Sequence, residues 1–317
     1  MLRRTIPGGH QGRVTVLIVA GLLALTGCRA TQPSDSATAP PRPHGAIHTP
    51  VAAGGTQATK VLVVIEENHS YSQVRRGMPY LARLSDTYGY ATNWRAVAHP
   101  SEPNYLAIAG GSTFGISDDA PPSAHRRRIG SALSVFDQAL AIRRTAATYA
   151  QSMPRNCYPR DYSSGRARYA VRHNPWTYFP RSRARCRAHD VPLRTFTPDA
   201  RRNALPNVGF LIPDVAHDGH DGSLSTADRW LRRKLAPVLR SSDFRSGRLV
   251  VIVTTDEDDR ASDNAVLTSV LTPAVSRKVV RTRLTHYSLT RYIAQVLGVR
   301  PLRHAATAPD LGAAFGL

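Results

Sequence analysis

The segment Val61-Leu62-Val63-Val64-Ile65 is the best starting point for the fold, because it is continuous, apolar and rich in β-branched residues. Such a run is typical of a central parallel strand that is covered by helices on both faces. It ends at Glu66-Glu67-Asn68-His69, so polar side chains follow a buried strand directly. The run Leu249-Val250-Val251-Ile252-Val253 repeats the arrangement and leads into Thr254-Thr255-Asp256-Glu257-Asp258-Asp259.

Strands and helices alternate along the rest of this region. Further strands are predicted at residues 92–97, 208–212 and 265–272, and helices at residues 78–88, 132–144, 226–239 and 286–297. The alternation predicts an α/β domain with a mostly parallel sheet and helices on both faces. Ligands of such sheets bind beyond the carboxyl ends of the strands, so we expect the polar residues there to converge.

The N-terminal region predicts export and attachment to a membrane. Residues 1–27 combine three arginines with an apolar run, Val14 to Leu25, which is short for a membrane-spanning helix and typical of a signal peptide. Its end, Leu25-Thr26-Gly27-Cys28, resembles the lipobox of bacterial lipoproteins. This predicts a lipidated Cys28 on the outer face of the cell membrane, with a twin-arginine signal as the alternative export route.

The remainder of the chain divides into a linker and a folded domain. Residues 28–60 are rich in Pro, Ala, Thr, Ser and Gly without apolar periodicity, which predicts a flexible linker. Residues 61–317 are long enough to bury the core of one large domain.

The charge of the chain is strongly positive, with a formal net charge of +20. Between Ser123 and Leu205 there are seventeen arginines, no lysine and four acidic residues. Such a field attracts nucleic acids, anionic lipid headgroups and phosphorylated small molecules alike. Because no zinc-finger spacing, basic zipper or aromatic-rich basic strand accompanies it, we expect no dedicated nucleic-acid binding.

The segment from about Tyr149 to Pro206 interrupts the alternation with short stretches rich in Arg and Pro. We interpret it as an insertion near the edge of the sheet where the polar residues converge. It contains Cys157 and Cys186, and two thiols in an oxidising compartment are expected to pair. Two free buried cysteines are the alternative.

A serine lies between two prolines in Ala98-His99-Pro100-Ser101-Glu102-Pro103-Asn104-Tyr105. The apolar residues that follow predict a helix that begins at Ser101. Free N–H groups and the macrodipole at a helix start would stabilise an oxyanion or phosphate beside the hydroxyl. The alternative is an ordinary helix-capping serine.

Two acidic clusters offer hard oxygen ligands. Glu67-Asn68 and Asp256-Glu257 suit Mg, Ca or Mn, and zinc also accepts carboxylates. Each cluster alone is also compatible with a solvated loop. Their positions directly after buried strands favour a metal site.

A histidine-rich loop follows the strand at Val208. The segment Pro213 to Gly222 contains His217 and His220 together with three aspartates, a composition typical of metal binding or proton transfer. A purely structural loop is the alternative. His173 and His286 are weaker candidates, with a structural role as the equal alternative.

Taken together, these motifs resemble the phosphoesterase family that includes bacterial secreted acid phosphatases and phospholipases C, within the alkaline phosphatase-like superfamily. The resemblance covers roughly residues 61–312 and is strongest to the short acid phosphatase branch. The motifs that carry it are Val63-Val64-Ile65-Glu66-Glu67-Asn68-His69-Ser70, His99-Pro100-Ser101-Glu102-Pro103-Asn104-Tyr105, His173-Asn174-Pro175, His217-Asp218-Gly219-His220-Asp221-Gly222, Thr255-Asp256-Glu257-Asp258-Asp259 and His286-Tyr287-Ser288-Leu289.

The resemblance implies roles for these residues. Ser101 would be the nucleophile and would form a phosphoserine intermediate. One divalent metal ion would be bound by Ser101 and by the acidic clusters, through Glu67, Asn68, Asp256 and Glu257. Phosphate binding or protonation of the leaving group would fall to four histidines, His99, His173, His217 and His220. Substrate contacts would come from Asn104 and His286. Some relatives have two aspartates where this chain has Asp256-Glu257.

The expected activity is that of an acid phosphatase that hydrolyses phosphate monoesters. A phospholipase C that acts on lipid headgroup diesters is the first alternative, because the arginine-rich segment and the anchor would also bring the enzyme to anionic lipid. A lipoprotein that binds phosphorylated ligands without catalysis is the second. The expected partners are phosphorylated small molecules or lipid headgroups, and the membrane through Cys28.

Overall fold

The computed structural model describes residues 57–317. The predicted signal peptide, Cys28 and nearly all of the linker therefore lie outside the described residues. Within residues 57–317 no helix is both long and apolar enough to span a membrane.

Strands and helices alternate as the sequence predicts. The strands are β1 (Lys60–Glu66), β2 (Gly89–Arg95), β3 (Ala146–Ala150), β4 (Tyr162–Ser164), β5 (Ala167–Tyr169), β6 (Asp190–Pro192), β7 (Val208–Ile212), β8 (Leu249–Thr255), β9 (Ala265–Leu271), β10 (Lys278–Val280) and β11 (Leu284–Thr285). The helices are α1 (Tyr71–Gly77), α2 (Pro79–Thr87), α3 (Ser101–Gly110), α4 (Pro122–Ile129), α5 (Val135–Ala141), α6 (Arg183–His189), α7 (Phe196–Arg201), α8 (Leu224–Leu239), α9 (Ser242–Arg245), α10 (His286–Leu297) and α11 (Leu311–Phe315).

In the described residues, nine strands form one mostly parallel sheet. Its order is β10-β2-β9-β8-β1-β7-β3-β6, and β11 pairs with β2. Strand β9 runs antiparallel to both of its neighbours, whereas β1 is parallel to β8 and β7. Strands β4 and β5 form a separate two-stranded hairpin. The predicted α/β fold class is confirmed.

Helices cover both faces of the sheet, because the side chains of β1 alternate between two hydrophobic clusters. Val61, Val63 and Ile65 lie on the face that packs against α3, α5 and α10. Leu62 and Val64 lie on the opposite face, which packs against α1, α2 and α8. All five side chains are buried, which explains why the sequence of this strand is apolar without alternation.

The region around residues 132–150 differs from the prediction. The helix predicted at residues 132–144 is confined to Val135–Ala141, because Ser134 caps its start by accepting a hydrogen bond from the backbone N–H of Asp137. The chain then enters strand β3, which the sequence analysis did not predict. Strand β6 pairs with β3, so the arginine-rich segment adds an edge strand to the main sheet.

The arginine-rich segment is cross-linked as expected. Cys157 and Cys186 form a disulfide bond, and both side chains are buried. The bond joins the loop after β3 to helix α6, and it confirms the predicted pairing.

Candidate active site

The predicted site residues come together at the carboxyl ends of two neighbouring strands. Glu66 of β1 is paired with Thr255 of β8, so Glu67 and Asp256 follow at the same level of the sheet. The backbone N–H of Asp256 donates to the carbonyl oxygen of Glu66 over 2.9 Å. The parallel register of β1 and β8 therefore brings the two acidic clusters together.

Ser101 is the first residue of α3 and lies against Glu67. Its side-chain oxygen donates a hydrogen bond to Oε2 of Glu67 over 2.9 Å, and the residue is 3% exposed. Pro100, not Ser101, occupies the capping position of the helix. The alternative of an ordinary capping serine is therefore not what the structure shows, because the hydroxyl points to a carboxylate instead of the helix backbone.

The start of α3 offers fewer free N–H groups than the sequence analysis expects. The backbone N–H of Glu102 donates to Oδ1 of Asp119 over 2.9 Å, and Pro103 has no N–H group. The helix start therefore has fewer N–H groups for an anion beside Ser101 than the sequence predicts.

Asn68 connects the two acidic clusters. Its backbone N–H donates to Oδ1 of Asp256 over 3.0 Å, and its φ angle of 51° is in the left-handed region. Its side-chain amide lies 3.2 Å from Oε2 of Glu67 and 3.1 Å from Oε1 of Glu257. The same amide lies 3.5 Å from Oγ of Ser101. Oxygen-bearing side chains of all five predicted metal ligands therefore converge.

The electrostatics of this cluster favour a bound cation. Burial, followed by the nearby Asp256 and Asp218 charges, raises the pKa of Glu67 well above its usual value. Burial raises the pKa of Asp256 to about 7 and that of Glu257 to about 9. Buried carboxylates that lie side by side repel each other unless a positive charge compensates them.

The donor set also fits a metal ion. Oδ2 of Asp256 is buried and has no hydrogen-bond partner in the described residues. Among these residues no lysine or arginine forms an ion pair with Glu67 or Asp256. A divalent cation coordinated by these oxygens would satisfy the free oxygen and neutralise the carboxylates, as hard cations such as Mg, Ca or Mn do.

His173 lies between two of the buried acids. Its Nε2 is 3.3 Å from Oε1 of Glu67, and its Nδ1 is 3.2 Å from Oδ2 of Asp218. Its ring stacks on Tyr105 with 5.2 Å between centroids, and the residue is only 1% exposed. Burial lowers its pKa well below the usual value. Glu67, His173 and Asp218 form a further group whose ligand atoms are close enough together to bind a metal ion.

His99 and His220 lie around the cluster and are more exposed. Nδ1 of His99 is 2.9 Å from Oε2 of Glu257, and its Nε2 is 3.1 Å from Oδ1 of Asp258. Burial, followed by the charge of Arg260, lowers the pKa of His99. The ring of His220 lies 6.1 Å from that of His173, and its side chain is 31% exposed.

The contacts of His220 define its orientation. Its Nε2 lies 3.2 Å from Nη2 of Arg172 and accepts a hydrogen bond from it, while its Nδ1 lies 2.7 Å from Oδ1 of Asp221. His217 lies in the same loop but contacts Asp214 and Gln151. The structure therefore places His220 beside the acidic cluster and gives His217 contacts outside it.

Asn104 and His286 are predicted to contact the substrate, but their positions favour a role in supporting the site. Oδ1 of Asn104 accepts hydrogen bonds from the backbone N–H groups of Val97 and Ala98, and the side chain is buried. Nδ1 of His286 accepts from the Trp94 indole, and its Nε2 donates to the carbonyl oxygen of Asp256 over 2.6 Å. Both ring nitrogens of His286 are thus occupied. Burial lowers its pKa to about 4, so this ring is neutral.

Two residues of the site were missed in the sequence analysis. Tyr105 donates a hydrogen bond to Oε1 of Glu67, and Asp218 accepts one from the backbone N–H of His220. Both lie inside the motifs quoted above. The sequence analysis includes Tyr105 in the motif around Ser101 without a role, and Asp218 as one acid among several in its loop. Their spacing to the site residues carries no periodic signal, because the contacts span distant segments.

Comparisons with known proteins show what the chain is similar to. The sequence model of the Phosphoesterase family matches residues 70–274. A phosphatidylinositol-3-phosphatase from Mycobacterium tuberculosis is 29% identical over 259 residues, which cover 81% of this chain and 82% of that protein. A phosphate-repressible acid phosphatase from Penicillium chrysogenum is 28% identical over 231 residues, 70% of this chain and 55% of that protein. The chain therefore spans little more than half the length of that fungal relative.

Solved structures support the fold. A protein of the alkaline phosphatase superfamily from Vibrio parahaemolyticus has a TM-score of 0.51 at 10% identity, over 78% of this chain and 68% of that one. A lipoteichoic acid synthase from Listeria monocytogenes has a TM-score of 0.53 at 8% identity, over 80% and 77% of the two chains. The predicted enzyme class, a phosphoric ester hydrolase, is confirmed by the family match and by the names of the acid phosphatases. The family model covers more than half of the length of this chain, so the chain belongs to the phosphoesterase family.

Proposed function

We propose that this chain is an acid phosphatase that hydrolyses phosphate monoesters through a phosphoserine at Ser101, with the help of one divalent metal ion. The observation that carries the proposal is the hydrogen bond from Ser101 to Glu67 inside a buried cluster of carboxylates. The names of the acid phosphatase relatives support a monoester substrate. The name of the mycobacterial relative is compatible with a phosphorylated lipid headgroup.

The metal ion would be held by the five oxygen-bearing side chains of the cluster, Glu67, Asn68, Ser101, Asp256 and Glu257. When bound, it would neutralise negative charge on the serine oxygen and on the phosphoryl group, which is the main requirement of phosphoryl transfer. The protein itself fixes these side chains. His286 orients the Asp256 backbone, and Tyr105 and His173 orient Glu67.

The reaction would proceed in two displacements. In the first, Oγ of Ser101 passes its proton to Oε2 of Glu67, to which it donates a hydrogen bond, and forms a bond to phosphorus while the bond from phosphorus to the ester oxygen breaks. The leaving oxygen takes a proton, a role that we assign to His220 in the form that carries a proton on Nε2 and no longer accepts there from Arg172. In the second, a water molecule attacks the phosphoserine, phosphate leaves, and the serine hydroxyl is restored.

Export and membrane attachment through Cys28 are part of the proposal. They rest on the sequence of residues 1–28 and on the disulfide, which is typical of proteins from oxidising compartments. An extracytoplasmic phosphatase would release phosphate from esters outside the cytoplasm.

The experiment that tests the nucleophile compares Ser101→Ala with the wild type on p-nitrophenyl phosphate and on bis(p-nitrophenyl) phosphate. The wild type should hydrolyse the monoester much faster, and Ser101→Ala should lose measurable turnover of it. The loss of one buried hydrogen bond should cost only about 1–3 kcal/mol of stability. Ser85→Ala, which removes another buried serine hydroxyl in α2 on the opposite face of the sheet, is the matched control. Preference for the diester would favour the phospholipase C alternative.

A second measurement tests whether Ser101 and the metal act as one unit. Asp256→Asn should lower metal affinity and turnover together, and Ser101→Ala/Asp256→Asn should be little worse than either single variant. Prolonged chelation should inactivate the wild type, and a divalent ion should restore it. A turnover rate that is indifferent to a measured loss of metal would remove the metal from the mechanism.

A further inference from the structure

A cavity of about 720 Å³ lies in the arginine-rich segment of the fold. Four arginines line it, from three different parts of the chain. Arg126 belongs to α4, Arg160 to the loop between β3 and β4, and Arg183 and Arg187 to α6. We call this cavity the arginine pocket. Its volume is that of a site for a small ligand.

No acidic residue between 57 and 317 forms an ion pair with any of the four arginines. Within these residues none of the four donates a side-chain hydrogen bond either. Burial lowers the pKa of Arg183, and the charges of Arg187, Arg126 and Arg155 lower it further. Positive charges that repel one another across a cavity are stabilised by an anion bound between them.

The two acids in the pocket are occupied elsewhere. Oδ1 of Asp161 accepts a hydrogen bond from the backbone N–H of Val171 over 2.8 Å. Oδ1 of Asp119 accepts one from Glu102, and its Oδ2 lies 3.7 Å from Nε of Arg172. Even with both acids charged, the four arginines leave the pocket with an excess of positive charge.

Asp119 links the pocket to the candidate active site. Asp119, which lines the pocket, binds the backbone of Glu102, the residue after Ser101. The same Asp119 faces Arg172, and Arg172 donates to His220. A short path of direct contacts thus runs from the pocket to the nucleophile and to His220.

The disulfide fixes the positions of these arginines. Cys186 lies on α6 between Arg183 and Arg187, and its partner Cys157 lies three residues before Arg160. A cross-link at this point holds both segments in place before a ligand arrives. Pre-organised charged groups bind more tightly, because less freedom is lost on binding.

We propose that the arginine pocket binds a second phosphate group of the substrate while the first phosphate is at Ser101. This inference rests on the proposed phosphatase function and narrows its substrate class to esters with two phosphate groups. Arginine is suited to this role because its planar guanidinium forms paired hydrogen bonds with phosphate oxygens. The second phosphate is a binding group only, so it is released unchanged with the product.

The test compares glucose 1,6-bisphosphate with glucose 6-phosphate, which differ by one phosphate. For the wild type we expect kcat/KM for the bisphosphate to be about tenfold higher or more, as charged hydrogen bonds allow. In Arg183→Gln/Arg187→Gln this ratio should fall towards one, while turnover of the monophosphate persists. Arg127→Gln/Arg201→Gln is the control. Both arginines are exposed and lie outside the pocket, and their substitution removes the same amount of charge. An unchanged ratio in the pocket variant would overturn the proposal.

Calorimetry separates this proposal from the proposed function. Ser101→Ala should bind glucose 1,6-bisphosphate more tightly than glucose 6-phosphate, and the two pocket substitutions should abolish the difference. If the wild type hydrolyses neither sugar phosphate but this binding difference is found, the proposed function fails and the pocket stands. If the affinity for glucose 1,6-bisphosphate is the same with and without the two pocket substitutions, the assignment of the pocket is overturned, whatever the activity.

A third comparison distinguishes a lipid from a soluble source of the second phosphate. Vesicles that contain a monophosphorylated inositol phospholipid present a monoester and a diester phosphate, and so does the same headgroup after deacylation. We expect the pocket substitutions to slow the hydrolysis of both. A loss that is confined to vesicles would overturn the pocket assignment, because a negatively charged surface attracts arginines without any cavity.

Discussion

Glu67 illustrates how the site is organised at the scale of single residues. Its two carboxylate oxygens are contacted from two segments of the chain, by Ser101 and Tyr105 of α3 and by His173. Its backbone N–H donates to the carbonyl oxygen of Asp218 over 2.8 Å. A side chain fixed from so many directions cannot change rotamer, which keeps the oxygen beside the nucleophile in place.

The two histidines of the loop after β7 give a prediction at this scale. His220→Ala should lower kcat by about 100-fold to 10,000-fold if His220 supplies the proton to the leaving group. His217→Ala should have a much smaller effect, because His217 contacts Asp214 and Gln151 instead of the acidic cluster. Steady-state kinetics of both variants decide between them. A larger loss in His217→Ala would transfer the role to that residue.

Asp190 gives a prediction about the pH dependence of stability. Burial raises its pKa to about 8, and both of its oxygens lie within 3.0 Å of Nδ2 of Asn174. The folded protein therefore holds a proton here that the unfolded chain, with an ordinary pKa near 4, releases. Since folding takes up this proton, its contribution to stability is full below about pH 4 and is lost as the pH rises towards 8.

Asp190→Asn removes this titration. The free energy of unfolding in urea should fall less between pH 5 and pH 8 in the variant than in the wild type, by on the order of a few kcal/mol. Measuring the difference between the two proteins at each pH cancels the contribution of the other buried acids. Parallel pH profiles would contradict the assignment.

At the scale of residues, the sequence predicts the site residues best where a motif of polar residues follows directly after a strand. Glu67, Asn68, Ser101, Asp256 and Glu257 were predicted as one cluster, and the structure brings them together. The contacts of His286 and Asn104 could not be predicted. They depend on which backbone groups lie opposite each side chain, and these groups come from segments distant in the sequence.

At the scale of elements, the strands β1 and β8 were predictable because both faces of each strand are buried. A continuous apolar run ends at the point where the strand leaves the core, so the end of the run predicts the end of the strand. Strands β3, β6 and β10 lie towards the edges of the sheet and are short. Their composition is mixed, and only their pairing partners define them as strands.

The disulfide provides a prediction for helix α6 and the loop before β4. Replacing both cysteines by serine, Cys157→Ser/Cys186→Ser, removes a cross-link between residues 29 positions apart. On the chain-entropy estimate this should lower the free energy of unfolding by roughly 3–4 kcal/mol. Urea unfolding measures the loss, and the reduced wild type should match the variant. Free thiols in the oxidised wild-type protein would contradict the cross-link.

The whole molecule combines a catalytic domain with a strongly basic surface. The net charge of +20 predicts a general attraction for anions. The structure shows that part of this charge is organised, since four arginines line one cavity. Composition alone could not reveal this arrangement, because it depends on how the disulfide-linked segment folds against α4.

The last prediction concerns Cys28 and the attachment of the whole molecule to a membrane. If Cys28 is lipidated, the protein should sediment with membranes, and Cys28→Ser should move it to the soluble fraction. Several acyl chains on one cysteine are needed for stable attachment, because a single chain binds weakly. Activity should be unchanged in Cys28→Ser, since every candidate site residue belongs to the domain from residue 61 onwards.

The arginine-rich surface could hold the variant on anionic lipid by charge alone, so the fractions are also washed in high salt. Salt screens attraction between exposed charges but leaves acyl chains in the bilayer. We expect the salt-washed wild type to stay with the membrane and Cys28→Ser to be released. Equal retention of both proteins after the wash would exclude Cys28 as the anchor, because neither charge nor lipid at that cysteine would then explain the attachment.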